Sequence, residues 1–258
     1  TRDDRLFYAL ERIRPACKVE WKVAKDGKGF CLTSSSGEAS IPEDIAHQLS
    51  DKVEGYYLET GKNFILLYSK YARGMFYGIQ TLRQMIESDG GFPSVRIFDW
   101  PDIPMRCMHF DLRQLFPKHE NLISYLDVLA AFKVNTLLVE YEDRFPFLKY
   151  RELRHSDFAL TSDKLRQLLE TAEANFINVI PLQQTFGHLE YLLKRNDYQH
   201  LREKSDCLGE ICPSKPQSFE VITGLLAEMI QAHPNSQYIH IGCDEVYHIC
   251  ACDACKKK

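Results

Sequence analysis

Thr136-Leu137-Leu138-Val139-Glu140 and Asn178-Val179-Ile180-Pro181-Leu182 decide how this chain folds. Both are short apolar runs that end beside polar residues, and a helical pattern near Ser162 to Ala174 lies between them. Apolar runs alternating with helices imply parallel β/α units. The same grammar extends outward. Upstream, Arg106-Cys107-Met108-His109-Phe110-Asp111 is followed by a helical pattern near Leu122 to Phe132. Downstream, an irregular stretch and a helix near Pro216 to Ala232 lead into Tyr238-Ile239-His240-Ile241-Gly242. In a β/α barrel the strand ends form the active face, and here those ends carry polar, chemically capable residues. A full barrel has eight strands and roughly 250 residues. Residues 99–258 supply four strands, so the expectation is an α/β fold containing the first half of a (β/α)8 TIM barrel that stops just after strand four. An open four-stranded sheet is the competing reading.

Residues 1–98 follow a different pattern, that of a small α+β domain. Gly29-Phe30-Cys31-Leu32-Thr33, Gly55-Tyr56-Tyr57-Leu58-Glu59 and Asn63-Phe64-Ile65-Leu66-Leu67-Tyr68 are aromatic and aliphatic runs bounded by turn-forming residues, as strands are. From Ala72 to Glu87, Met75, Ile79, Leu82 and Ile86 recur at helical spacing and give the helix one packing face. Asp89-Gly90-Gly91 is expected to end that helix.

Composition narrows the function classes. With 45% apolar and 26% charged residues in 258, a core can form without staples. A net charge of -4, with Lys and Arg scattered and only Lys256-Lys257-Lys258 as a basic run, points away from nucleic acid and anionic membranes. No apolar stretch approaches the ~20 residues of a membrane span. Thr1-Arg2-Asp3-Asp4 has neither an initiator Met nor an apolar leader, so a leader has been removed or the sequence begins inside a longer one. Nine cysteines cannot all pair within one chain. Cys17, Cys31, Cys107 and Cys243 sit in apolar surroundings and read as buried thiols, which points to a reducing compartment such as the cytoplasm.

The chemistry-bearing motifs occur in a fixed order. His240-Ile241-Gly242-Cys243-Asp244-Glu245 resembles the His-x-Gly-x-Asp-Glu signature of the family 20 glycoside hydrolases, the β-N-acetylhexosaminidases. Arg73-Gly74-Met75-Phe76-Tyr77-Gly78 resembles the last helix of the small domain that precedes that family's barrel, and Trp100-Pro101-Asp102-Ile103-Pro104 resembles the approach to its first strand. Glu140-Tyr141-Glu142-Asp143-Arg144-Phe145-Pro146 and Gln184-Thr185-Phe186-Gly187-His188-Leu189-Glu190 are closest to the hexosaminidase D branch and its bacterial relatives.

The resemblance implies retaining hydrolysis of terminal β-linked GalNAc or GlcNAc from an oligosaccharide or glycoconjugate, with no cofactor and no metal. The sugar's own acetamido oxygen attacks the anomeric carbon, so no enzyme nucleophile is used. Glu245 takes the general-acid position, which calls for burial to raise its pKa. Asp244 would orient the acetamido group and stabilise the oxazolinium ion. Taken alone, an Asp-Glu pair also suits the start of a helix. His188 matches a histidine near the sugar, with a structural histidine as the alternative. Glu142 and Asp143 are placed to accept from sugar hydroxyls, or Asp143 and Arg144 simply hold a loop by an ion pair. Many family members carry Asp-x-x-Arg in strand one, whereas Asp111-Leu112-Arg113 puts the arginine one place early. Arg113 is a candidate substrate ligand, and Asp111 a second one or its ion-pair partner.

Cys250, Cys252 and Cys255, with His248 nearby, have spacing that permits a small zinc site, although free thiols are the leading reading and a disulfide ranks below zinc. Cys207 and Cys212 flank a loop and could pair. The rival to an enzyme is a carbohydrate- or partner-binding remnant that keeps half of the site.

Overall fold

The computed structural model describes residues 3–13, 22–26, 29–33, 41–61, 64–89, 92–113 and 115–257. Cys17, Asn63, Gly90 and Gly91, named above, lie outside them. The chain divides into two compact units. One comprises Thr1–Arg106 with Tyr125–Asn135 and Ala174–Phe176, and the other Cys107–Ser124, Thr136–Glu173 and Ile177–Lys258.

In the first unit, strands β1 (Lys22–Asp26), β2 (Gly29–Thr33), β3 (Tyr56–Gly61), β4 (Phe64–Ser69) and β5 (Val95–Asp99) form an antiparallel sheet of order β1-β2-β4-β3-β5. Helices α1 (Asp4–Ile13), α2 (Glu43–Gln48) and α3 (Ala72–Asp89) accompany it. Met75, Ile79 and Leu82 of α3 are buried, and α3 packs on β3 and β4, so the helical spacing marks a packing face as expected. The sequence reading missed α1, β1, α2 and β5.

The second unit is built on a parallel sheet, β6 (Cys107–Asp111), β7 (Thr136–Glu140) and β8 (Asn178–Leu182), in the order β6-β7-β8. Asp111 pairs with Glu140 and Glu140 with Leu182, so the carboxyl ends of the three strands stand in one row. Helix α4 (His119–Ala131) connects β6 to β7, and α5 (Ser162–Ala174) connects β7 to β8. Each crossover ends in a left-handed residue, Lys133 at φ 57° and Phe176 at φ 57°. The Val134 N–H reaches Leu129 O and the Ile177 N–H reaches Ala172 O, which satisfies carbonyls that a helix end leaves open.

After β8 come α6 (Glu190–Leu193), α7 (Pro216–Ala232) and α8 (Asp253–Lys256). Pro216 begins α7, where a missing N–H costs nothing. The helix buries Ser218, Ile222, Leu225 and Met229 at helical spacing.

The expected fourth strand, Tyr238 to Gly242, is not a strand. It meets β8 through a single parallel bridge, Leu182 to His240. His240 donates to Pro181 O and accepts from the Gln183 N–H, both at 2.9 Å, and Gly242 O accepts from the Thr185 N–H at 3.0 Å. Pairing on one side only, with Tyr238 and Ile241 more than half exposed, leaves nothing to extend the ladder. Cys107 and Cys243 are exposed rather than buried, since β6 and the bridged segment are the two margins of this sheet; Cys31 is buried as expected.

Tyr141, directly after β7, is fully buried and its hydroxyl lies 3.0 Å from Nε2 of buried His233 at the end of α7. Nδ1 of His233 lies 2.8 Å from Met229 O, which can only accept, so the proton sits on Nδ1 and Nε2 accepts from Tyr141. Burial pushes the His233 pKa down and keeps the ring neutral. Tyr141→Phe would strand Nε2 without a donor, and urea unfolding of the variant should show a loss of about 1–3 kcal/mol. A loss near zero would mean that water reaches the ring.

Candidate active site

The carboxyl ends of β6, β7 and β8 gather two adjoining groups of polar side chains. The inner group centres on Glu140, a carboxylate only 2% exposed. Its Oε1 accepts from Gln184 Nε2 at 2.8 Å and lies 3.6 Å from Arg113 Nε, while Oε2 lies 3.3 Å from His109 Nε2. Arg113 donates Nε and Nη2 to Asp111 at 3.0 and 2.7 Å, and its backbone N–H reaches Oδ1 at 2.9 Å. Asp111 is therefore the ion-pair partner of Arg113. Burial alone would raise the Asp111 carboxyl, but the Arg113 hydrogen bonds outweigh it and hold its pKa below the usual range. Hydrogen bonding to Asp111 likewise raises the guanidinium pKa, and Glu140 and Glu142 add to this.

Glu142, Asp143 and Arg144 form a buried 3-10 turn after β7. Arg144 donates to Leu115 O at 3.1 Å and lies over the Phe116 ring, while Asp143 O accepts from the His155 N–H at 2.7 Å. The turn does hold a loop, largely through its backbone. Burial pushes the Glu142 pKa up to about 8, reinforced by the negative charge of Glu140 and opposed by Arg113. Among the described residues, Oε1 of Glu142, Gln183 and Gln184 are buried with no hydrogen-bond partner. Because Glu140 accepts through Oε1, the Gln184 amide is oriented and its oxygen is the atom left over. Unsatisfied buried polar atoms call for an explanation, and these three cluster just past the ends of β7 and β8.

The outer group is His188, Asp244 and Glu245. His188 Nε2 lies 3.2 Å from Glu245 Oε2 and 3.6 Å from Asp244 Oδ2. Two glycines permit this approach. A Cβ at Gly187 would collide with the Asp244 carbonyl oxygen, and Gly242, at φ 44°, lies against the Gln184 side chain. The expected burial of Glu245 is absent in this chain, where its side chain is 59% exposed and that of Asp244 64%. Both sit beyond the one-sided bridge at His240, where no further strand covers them. No helix begins at Asp244, because the next one starts at Asp253, so the pair is not a helix start.

The structure thus brings His188 to Asp244 and Glu245, and places Asp111, Arg113, Glu142 and Asp143 along the neighbouring tips. It adds Glu140, Gln184 and His109, to which the sequence reading assigned no role. Glu140 could have been suspected as a charged residue closing a buried strand. Of the cysteine set, Cys250 is exposed and His248 pairs with Glu210 at 3.1 Å, so neither joins Cys252 and Cys255. Cys207 and Cys212 are both free thiols. A cavity of about 590 Å³ lined by Arg151, Arg154, His155 and Asp157 includes none of the strand-tip groups. No helix among the described residues is long and apolar enough to cross a membrane.

In β/α barrel enzymes the active site sits at the carboxyl ends of the parallel strands. Residues 103–258 match the model "Glycosyl hydrolase family 20, catalytic domain", and residues 17–100 match "Glycosyl hydrolase family 20, domain 2". The chain belongs to glycosyl hydrolase family 20. It is 35% identical over 145 residues to hexosaminidase D of Bos taurus, covering 56% of this chain and 42% of that protein. It is 29% identical to a β-hexosaminidase of Porphyromonas gingivalis, covering 97% of this chain and 37% of that one. The solved structure of Flavobacterium johnsoniae chitobiase shares the fold, with a TM-score of 0.71 at 22% identity over 95% of this chain and 40% of that one. The chain therefore spans about two fifths of the length of these relatives.

A carboxyl whose folded pKa is raised binds its proton more tightly in the folded than in the unfolded chain. For Glu142 that stabilisation is complete below about 4.5 and is lost as pH rises through about 8. Glu142→Gln should flatten the decline in Tm across this window and exceed the parent in Tm at roughly pH 9. An unchanged Tm profile would mean that the Glu142 carboxyl is hydrated.

Proposed function

We propose that the whole protein is an exo-acting β-N-acetylhexosaminidase that hydrolyses terminal β-linked GalNAc or GlcNAc with retention. The observation that carries this reading is His188 within 3.2 Å of Glu245 and 3.6 Å of Asp244, at the tips of a parallel sheet in a family 20 chain. The three parallel strands and the bridged segment at His240 are read as the first half of an eight-stranded barrel, preceded by the small sheet domain of residues 1–98.

In this mechanism Asp244 accepts the acetamido N–H and turns its oxygen toward the anomeric carbon. That oxygen forms the new C–O bond as the glycosidic bond breaks, and Glu245 gives its proton to the departing oxygen, which leaves as an alcohol. The positive oxazolinium ion lies beside ionised Asp244. Water then attacks the anomeric carbon as its bond to the acetamido oxygen breaks and the acetamido group re-forms, and the water's proton returns to Glu245, which restores the β configuration. General-acid work near neutral pH needs a carboxyl shielded from water, and here the shield is the bound sugar closing over Glu245. Arg113, Glu142 and Asp143, with the unpartnered oxygens of Gln183 and Gln184, supply the hydroxyl-binding rim.

The exposure of both acids favours a second reading, a carbohydrate-binding protein without chemistry. Full-length protein separates the two. Turnover of p-nitrophenyl β-GlcNAc or β-GalNAc supports the enzyme, whereas calorimetric binding of the free sugar with no turnover supports the binder. Glu245→Gln should lower kcat/KM on a disaccharide by about 10²–10⁴-fold. The loss should be smaller with p-nitrophenol, a leaving group that needs less protonation. An equal loss on both substrates would remove Glu245 from the acid role.

A further inference from the structure

A second cluster of reactive side chains lies beyond the strand tips. Cys212, Cys252, Cys255 and Glu203 place one ligand atom each so that all lie within 4.8 Å of one another. Cys212 Sγ is 3.3 Å from Cys252 Sγ and 3.5 Å from Cys255 Sγ, although Cys212 is 40 and 43 residues away from them in sequence. Glu203 Oε2 accepts from Cys255 Sγ at 3.5 Å, and its other oxygen is occupied by the N–H groups of Ala251 and Cys252 at 2.6 and 3.0 Å. The Cys255 N–H also points at Cys252 Sγ, 3.4 Å away, and Ser214 Oγ lies 3.2 Å from Cys255 Sγ. Cys212, Cys255 and Glu203 are buried.

We propose that these residues form a zinc site, with the sulfurs of Cys212, Cys252 and Cys255 and Oε2 of Glu203 as its four ligands. Zinc holds thiolates at about 2.3 Å in a tetrahedron, which sets sulfurs roughly 3.8 Å apart. The observed separations need an outward shift of only a few tenths of an ångström. A disulfide, with sulfurs about 2.05 Å apart, would require a movement of more than 1 Å and would leave the third thiol alone. Three soft ligands and one carboxylate carry the same charge as four thiolates, a common structural zinc set. The N–H groups at Glu203 and Cys252 Sγ offset part of that charge.

The ligands differ from the set suggested by spacing alone, since Cys212 and Glu203 replace Cys250 and His248. They also come from two distinct stretches. Glu203 and Cys212 flank the antiparallel bridge between Arg202 and Ile211, while Cys252 and Cys255 follow Asp244 and Glu245 in the chain. Zinc would tie these stretches together only a few residues beyond the acids. This inference does not depend on the glycosidase reading, because the cluster lies outside the sugar-facing groups.

Elemental analysis of protein purified without chelators or a histidine tag should find one zinc per chain. Cys212→Ser and Cys255→Ser should each lower that content at least tenfold, whereas Cys250→Ser should leave it unchanged. X-ray absorption on the parent protein should give three sulfurs near 2.3 Å and one oxygen near 2.1 Å, a readout that stands even if a variant fails to fold. The proposal is overturned by substoichiometric zinc, by two or fewer sulfurs around the metal, by equal loss in Cys250→Ser, or by an intact mass lower by two hydrogens, which would signal a disulfide.

Discussion

Between Gly242 and Asp253 the chain is neither strand nor helix, yet this segment carries Asp244 and Glu245. Peptide groups withdrawn from water need partners, and here two buried glutamates provide them. Glu210 accepts from the N–H groups of Tyr247 and His248, each at 2.9 Å, and Glu203 accepts from those of Ala251 and Cys252. The two glutamates are themselves paired, since the Glu203 N–H donates to Glu210 O at 3.0 Å. Charge-assisted bonds of this kind are about twice as strong as neutral ones, so a few side chains replace a ladder. The same loop grips the His188 stretch from its other side, through Ile211 N–H to Phe186 O and Leu189 N–H to Gly209 O. His188 and the acids it meets are therefore positioned against one shared frame.

The strand tips separate charge by depth. Glu140 stays compatible with burial because Arg113 lies beside it and Gln184 completes its shell, and the partly exposed Asp111 shares the same guanidinium. Glu142 has no hydrogen-bond partner at Oε1, and burial, reinforced by the charge of Glu140, raises its pKa. Asp244 and Glu245 remain in contact with water, with only His188 between them. The described groups around these tips carry more negative than positive charge, with Asp111, Glu140, Asp244 and Glu245 set against Arg113. For stabilising a developing positive charge, that imbalance is the useful one.

Legibility in the sequence tracked how local each signal was. The helices Ser162–Ala174 and Pro216–Ala232 and the strands Thr136–Glu140 and Asn178–Leu182 fall where periodicity predicts, because one element's pattern contains its own evidence. Helix α1 was equally legible and was passed over, as Leu6, Ala9, Leu10 and Ile13 sit at helical spacing and are buried. Tyr238 to Gly242 reads as a strand, but a strand is completed by neighbours, and only one side is paired here. Asp244, Glu245 and His188 were nameable from motif order. Glu203, Glu210 and Cys212 lie in an irregular loop without period, and their partners lie 37 to 52 residues away, so no local pattern could reveal them.

The backbone separates the two ends of the sheet. At the amino ends of β7 and β8, the left-handed residues Lys133 and Phe176 close helices, and their conformation satisfies helix carbonyls. At the carboxyl ends, the left-handed residues other than Gly242 include Glu142, His188 and Glu245, at φ 48°, 51° and 52°. None of these three closes a helix, and each costs about 1–3 kcal/mol relative to a relaxed backbone. Asparagine or glycine would adopt the same turn at lower cost. Charged or titratable side chains instead occupy all three positions, after β7, after β8 and after the bridged segment at His240. Stability alone does not select that choice, because it places polar groups where the backbone is least comfortable. What the conformation accompanies is a close approach beyond the sheet, where His188 Nε2 lies 3.2 Å from Glu245 and 3.6 Å from Asp244.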